Sequence, residues 1–403
     1  MKLNQWTVGL AAAGVVSLGS VMQAEEASHQ VLTAISSTTL SGYVDTSAIW
    51  KFGSGNGPLP GRSFDGTPKQ DGFNLNVVKL TVEKPLDEGE WSAGYKVDLL
   101  FGPDATGYNL SAGTGAAASD FGVKQAYVAV RAPVGNGIDF KMGTFDSIIG
   151  YEVFEAGSNP NYSRSYAWGM EPTQHTGLLA SYRVNDILSL NAGVANTVNA
   201  GINARAVDGR TFAASESEKT YMASMVLTAP ESLGFLHGAT LYAGVVDGFN
   251  AAVNPGLTRR DTTSLYVGAT IPTPLEGLTL GAAYDYTGYS AQKMLTSSAY
   301  ASAASVYMSY QLTEKLKLNN RVEYAWSTDG LWYVRGEGAD SDARNELLGV
   351  TSTLDYSLWA NVISRLEFRW DSALTGGMDP VSKPFGVADK NAISLALNLI
   401  YKF

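Results

Sequence analysis

The chain has 403 residues, of which 45% are hydrophobic and only 16% charged, and its net charge is −10. Soluble domains average about 25% charged residues; here 43 Gly, 21 Tyr and many Ser, Thr, Asn and Ala fill the gap. The absence of Cys excludes disulfide scaffolds, Cys-ligated zinc, iron–sulfur clusters and thiol nucleophiles; the acidic balance excludes a nucleic-acid partner, and 11% aromatics exclude disorder.

The N-terminus reads as a secretory signal over residues 1–24. Lys2 supplies the positive end, an uncharged stretch runs from Trp6 to Met22, and Gln23-Ala24 precedes the acidic pair Glu25-Glu26, which places cleavage after Ala24. Residues 25–37 then form a short periplasmic segment. Beyond Ala24 no run of about 18 apolar residues remains, so no helical membrane span is available.

From Leu40 onward the hydrophobic pattern has period two. The end of the chain shows it best. Ile393, Leu395, Leu397, Leu399, Tyr401 and Phe403 share one face, and Ser394, Ala396, Asn398 and Lys402 the other, with Ile400 the one large apolar exception. Sixteen such segments are predicted, with cores at 40–52, 74–84, 91–101, 123–131, 138–144, 175–184, 187–196, 219–228, 239–247, 262–271, 278–287, 301–312, 316–327, 345–356, 359–370 and 391–403. Most approach the length of about ten residues that crosses a bilayer when tilted.

The gaps alternate. Short ones, such as Asn185-Asp186, Thr313–Lys315 and Ser357-Leu358, are interleaved with long ones, such as Gly102–Gly122, Phe145–Gln174 and Asp371–Lys390. An even number of strands, short turns at one end and long loops at the other describe an all-β transmembrane antiparallel barrel over 38–403. In lipid every backbone polar group must be paired within the protein, so a sheet has to close. Phe52, Phe101, Tyr286, Trp326 and Trp370 mark a loop-end aromatic girdle; Trp91, Tyr310, Tyr356, Tyr401 and Phe403 mark a turn-end one.

Two stretches resemble known families. The terminal alternation through Leu399 and Tyr401 to Phe403 resembles the C-terminal assembly signal of outer-membrane barrels, which implies contact with the barrel-assembly machinery by strand addition. The run Gly135–Gly143 through Gly150-Tyr151-Glu152, with Asn159-Pro160-Asn161-Tyr162-Ser163-Arg164-Ser165-Tyr166 and His175-Thr176-Gly177, resembles the second family of β-barrel porins, the OmpL-like type. That resemblance implies a Gram-negative outer-membrane porin surrounded by lipid, and a barrel of this size resembles the trimeric porins, which suggests a homotrimer (Ala301 and Ala303, read as small outward residues, would suit close packing). It carries no catalytic residues.

The strand parity nominates a pore lining: Lys96, Asp98, Arg131, Lys141, Arg183, Lys317, Arg321, Glu323, Arg365, Glu367 and Arg369. Taken with the other inward positions, basic groups outnumber acidic ones, a weak lean toward anions that acidic loops oppose. The alternative for these charges is mutual neutralisation across adjacent strands. The long connection 145–174 is the third, and in porins generally such a loop folds inward. It is expected to form the constriction, with Glu152, Glu155, Arg164 and Glu171 near the eyelet. An external lid or subunit latch is the alternative.

Glu337, Asp340, Asp342 and Glu346 lack the ordered ligand spacing of a calcium loop, and His29, His175 and His237 are too dispersed for a metal cluster. No cofactor, metal or nucleophile motif is expected, and the chain does not read as an enzyme. The leading expectation is passive diffusion of small hydrophilic solutes or ions. A structural or adhesive barrel without an open pore is the second reading, and a barrel-bound membrane enzyme the third.

Overall fold

The computed structural model describes residues 31–32, 37–53, 55–108, 120–198, 201–206, 218–250, 261–290, 298–333, 344–375, 384–385 and 389–403. The expected signal 1–24 and most of the segment 25–37 lie outside the described residues. After a two-residue strand β1 (Val31–Leu32) come β2 (Thr39–Phe52), β3 (Gly72–Lys84), β4 (Ser92–Phe101), β5 (Phe121–Ala132), β6 (Ile138–Asp146), β7 (Gln174–Arg183), β8 (Leu188–Ala195) and β9 (Thr220–Thr228). The second half holds β10 (Thr240–Phe249), β11 (Asp261–Pro272), β12 (Leu278–Tyr289), β13 (Ala299–Gln311), β14 (Leu316–Thr328), β15 (Arg344–Trp359), β16 (Val362–Ala373) and β17 (Asn391–Lys402).

Each of these pairs antiparallel with the next, and β17 pairs with β2 from Ile393↔Phe52 to Lys402↔Tyr43, so β2–β17 close into a 16-stranded barrel. Beyond that register the last residue continues the seam. Gly42 N–H donates to Phe403 O at 2.8 Å, and Phe403 N–H to Gly42 O at 3.0 Å. The ladder therefore runs to the end of the chain.

All sixteen expected strands are present, with bounds within three residues of those expected. The alternation sorts as expected: Leu397, Leu399 and Tyr401 are exposed on the outer face, while Ser394, Asn398 and Ile400 are buried inside. Three details differ. The last hairpin turns at Ala360-Asn361 rather than at Ser357-Leu358, because β15 runs on to Trp359 through a register shift between Ser357 and Trp359. Ala301 and Ala303 face inward, since Ala303 pairs with the buried Ala325, and so they offer no outward small-residue surface. Bulges reverse the parity in β3 and β5. The register skips Asn76 between Val77 and Leu75, and Lys124 between Gln125 and Val123. Asn76 with Val77, and Lys124 with Gln125, are consequently all buried.

The seam yields a prediction. A Cβ at Gly42 would lie 2.2 Å from the Lys79 carbonyl oxygen and 2.8 Å from Phe403 Cζ. Gly42→Val should therefore destabilise the refolded barrel by about 1–3 kcal/mol, read as a lower urea midpoint; an unchanged midpoint would show that the seam does not need a glycine.

Candidate functional site

The connection between β6 and β7, residues 147–173, packs against the inward face of the barrel. Its first part carries Ile148, Ile149 and Tyr151 onto inward apolar side chains of β7–β13: Leu179, Met222, Val226, Tyr242, Val246, Tyr266 and Ala283. Tyr151 stacks on Tyr307 with ring centroids 4.2 Å apart. The middle part packs Phe154, Ala156, Tyr162 and Trp168 with Tyr43, Leu100, Tyr108 and Ile400. Ile400, the apolar exception on an otherwise polar face, is thus part of the loop's seat.

On the β14–β16 side the contact is ionic. Arg321 Nη1 reaches Glu152 Oε1 at 2.8 Å and the Ser163 carbonyl at 2.7 Å, while its Nε reaches Glu323 at 3.1 Å. Arg369 pairs with Glu323 at 3.1 Å and Asp371 at 2.9 Å, and donates to the Arg164 carbonyl at 2.6 Å. Glu367 accepts the backbone N–H groups of Tyr162 and Ser163 at 2.6 and 3.0 Å, and Glu323 accepts that of Tyr166 at 2.6 Å. Tyr166 Oη donates to Asp371 at 2.6 Å. Arg365 pairs with Asp355 at 2.9 Å and donates to the carbonyls of Ala156 and Asn159.

These contacts correct the expected lining. Arg321, Glu323, Glu367 and Arg369 face inward as the parity requires, but the loop covers them; Arg365, held by the loop carbonyls, keeps an edge on the cavity below. Arg321 is 0% exposed, and Glu323 and Arg369 are each 1%. A guanidinium taken out of water needs partners for its N–H groups, and the loop's carbonyls and Glu152 supply them. Arg131 and Arg183 sit at the turn end of the wall, bonded to Asp139 and Asp186, and do not reach the middle of the lumen. Arg164 is not an eyelet charge. It bonds the Tyr162 carbonyl at 2.7 Å and that of Phe154, and lies over the rings of Phe64 and Trp168, so it braces the loop from within.

Of the remaining expected positions, Lys96, Asp98 and Lys141 belong to a second group on β3–β6, while Lys317 stands apart on β14. Asp98 binds Lys79 at 3.2 Å and accepts from Thr81 and Gln125 at 2.6 and 2.9 Å. Lys96 binds Glu83 at 3.1 Å. Lys141 lies 4.9 Å from the centroid of Tyr127. Lys79 and Lys124 both bind Glu155 of the loop, and Lys124 also binds Asp146. Burial alone would raise the Glu155 carboxyl; Lys124 and Lys79 outweigh it and hold the group well below the usual carboxylate range.

Lys124 escapes period-two reading because of its bulge. Asp371 escapes because β16 extends past the expected end of that strand. Asp371 also anchors a second inward segment, since Arg62 pairs with both Asp371 and Asp65, and Phe64 meets Phe154 edge-on at 5.5 Å.

Beneath the loop, toward the short turns, lies a cavity of about 720 Å³. Glu152, Glu155 and Glu171 line it from the loop; Lys79, Glu83, Lys96, Lys124, Lys317, Asp355, Arg365 and Lys402 line it from the strands. Its lining extends from Tyr108 and Thr173, near the loop ends of the strands, to Gln311 and Asn361 at the turns. Of the calcium candidates, Glu337, Asp340 and Asp342 lie outside the described residues, and no metal-binding cluster occurs among those described.

Residues 37–403 match the family described as "Putative beta-barrel porin-2, OmpL-like". Comparison with curated protein sequences gave no match. The chain is similar in structure to the outer-membrane channel DcaP of Acinetobacter baumannii, at 12% identity and a TM-score of 0.57, over 91% of this chain and 97% of that one. It is similar to the trimer form of OmpT from Vibrio cholerae at 12% identity and 0.56, over 91% and 99%. An anion-selective porin from Comamonas acidovorans matches at 11% and 0.56, also over 91% and 99%. At such identities the likeness concerns the fold.

The ionic seat is testable. Arg321→Met keeps bulk but leaves Glu152 without its cation and Glu323 with Arg369 alone, a loss of about 3–5 kcal/mol for a broken buried pair. The loop should come away from the wall and expose Arg164 to trypsin. Equal resistance of variant and parent at that bond would contradict the anchoring.

Proposed function

The chain belongs to the OmpL-like beta-barrel porin-2 family, and from that premise we propose how this outer-membrane porin channel restricts its solutes. Loop 147–173 is the constriction, and the cavity beneath it is the chamber on the turn side. Small hydrophilic solutes and ions diffuse passively past the loop through this cavity, whose walls Lys79, Lys96, Lys124 and Lys317 line. The observation that carries this reading is the cavity lining, which reaches from residues near the loop ends to residues in the turns. Family and fold support a channel rather than an enzyme.

The finer parts of the reading follow the same logic. The outer face of β2–β17 meets outer-membrane lipid. Phe403, Tyr401 and Leu399 are read by the barrel-assembly machinery through the open edge of β17 before the Gly42 contact forms. Residues 1–24 direct export and are removed. A homotrimer is supported by the trimer form of OmpT with which the fold compares. A slight preference for anions is supported by the lysines of the wall, and the Comamonas acidovorans relative of like fold is an anion-selective porin.

Three measurements test this. In a planar bilayer under a KCl gradient, the reversal potential should show a slight preference for chloride; a sealed barrel would overturn the channel. Deleting Gly157–Trp168 should raise single-channel conductance and weaken selectivity, and unchanged values would place the constriction elsewhere. Mass spectrometry of the protein from outer membranes should give a mature N-terminus at Glu25; a chain still carrying Met1 would refute processing.

A further inference from the structure

The cations around the cavity are unequally compensated. On the β3–β5 side Lys79, Lys96 and Lys124 each meet a carboxylate. On the floor, toward the turns, Asp355 is taken by Arg365 at 2.9 Å. Glu314 and Lys315, neighbours on the β13–β14 turn, and the Phe403 carboxylate, which accepts the Gly42 N–H, line the same floor. Lys317 and Lys402 line the same floor, and among the described residues neither has an ion-pair partner.

The register brings Lys317, Asp355 and Arg365 into one row across β14–β16 and sets Lys402 nearer the β15–β16 turn, beside Asn361. Lys317 on β14 stands opposite Asp355 on β15, and Asp355 opposite Arg365 on β16, so each is one strand spacing of about 4.8 Å from the next. Lys402, on β17, approaches from the other side and lies along the loop: a Cβ at Gly157 would sit 3.4 Å from Lys402 Cε and 3.3 Å from Ile400 Cδ1. Arg365 itself is 4% exposed and fixed by the loop carbonyls of Ala156 and Asn159. The floor therefore carries Lys315, Lys317, Arg365 and Lys402 against Glu314, Asp355 and the Phe403 carboxylate, a small positive excess bordered by Ile363 and Ile400.

We propose that Lys317, Arg365 and Lys402 form a subsite for small organic carboxylates at the turn-side end of the passage. This deepens the channel reading and rests on it. Excess positive charge between low-dielectric walls concentrates anions. Lys317 remains exposed, which keeps the site open enough for a bound solute to leave, as conduction requires. A small dicarboxylate offers two anionic ends to these cations and methylenes to Ile363 and Ile400 in the same cavity.

The test is current block. Succinate is added to the turn side of a bilayer carrying the full-length channel in KCl, and the concentration that halves the open-channel current is measured. Wild-type protein should be blocked. The double variant K317Q/K402Q should need about tenfold more succinate, the loss expected when two partly screened charge contacts are removed. K402R should restore most of the block. K84Q, which makes the single charge change of K317Q at the end of β3 on the outward parity, should leave it unchanged. Because K402Q lies beside the terminal residue, K317Q alone is measured too, and it should show an intermediate loss. Block of the double variant at the wild-type concentration, or no block of a conducting wild-type channel, overturns the subsite. Absence of any wild-type conductance overturns the channel reading instead, and so the two failures are distinguishable.

Discussion

Closure of the backbone ladder at the β17–β2 seam is the constraint on which everything else depends. A strand edge facing hydrocarbon leaves N–H and C=O groups unpaired at a cost of several kcal/mol each. The chain avoids that cost by joining its last strand to its first long one, down to the terminal residue, which bonds Gly42 through both its N–H and its carbonyl. Once the sheet is closed, side chains have only two destinations, lipid or lumen. The sparse charge and the many Gly, Tyr, Ser and Thr then follow, because the sequence averages an apolar face with a polar one.

Closure also creates the problem that the inward loop answers. Guanidinium groups on β14 and β16 would sit beneath the loop, where water is excluded. A buried charge is tolerable only when paired and hydrogen-bonded, and buried pairs contribute little net stability because desolvation offsets their attraction. The Arg321–Glu152–Glu323–Arg369–Asp371 lattice is therefore best understood as a positioning device. Burial energy comes from the other side, where Ile148, Ile149 and Tyr151 enter an apolar wall. The loop is held between a seat that drives it inward and a seat that fixes where its backbone lies.

How much of this was legible follows from what each feature depends on. The strands were readable because period two is a local property, and the barrel because loop lengths alternate in sequence. Ile400 was visible as an anomaly and proved to be a loop contact. Three kinds of feature were hidden. Bulges shift parity by one residue without a composition mark, which concealed Asn76 and Lys124. An inward position says nothing of what covers it, so Arg321 and Arg369 could be placed on the right face while their burial could not be foreseen. Long-range partners such as Arg62 and Asp371 depend on two loops meeting inside a closed wall, far from any sequence neighbour.

Those hidden pairings decide the electrostatics. Counting inward charges makes the wall basic, and counting the whole chain makes it acidic, at −10. Neither count describes what a passing solute meets. Lys79 and Lys124 are answered by Glu155 of the loop, Arg321 by Glu152, and Arg369 by Asp371, so the largest part of the basic excess is spent on holding the loop. A charge acts on a solute in proportion to what remains uncompensated and accessible after such pairing. By that measure Lys317 and Lys402, which line the cavity and have no ion-pair partner among the described residues, weigh more on a passing solute than the paired lysines of the wall above.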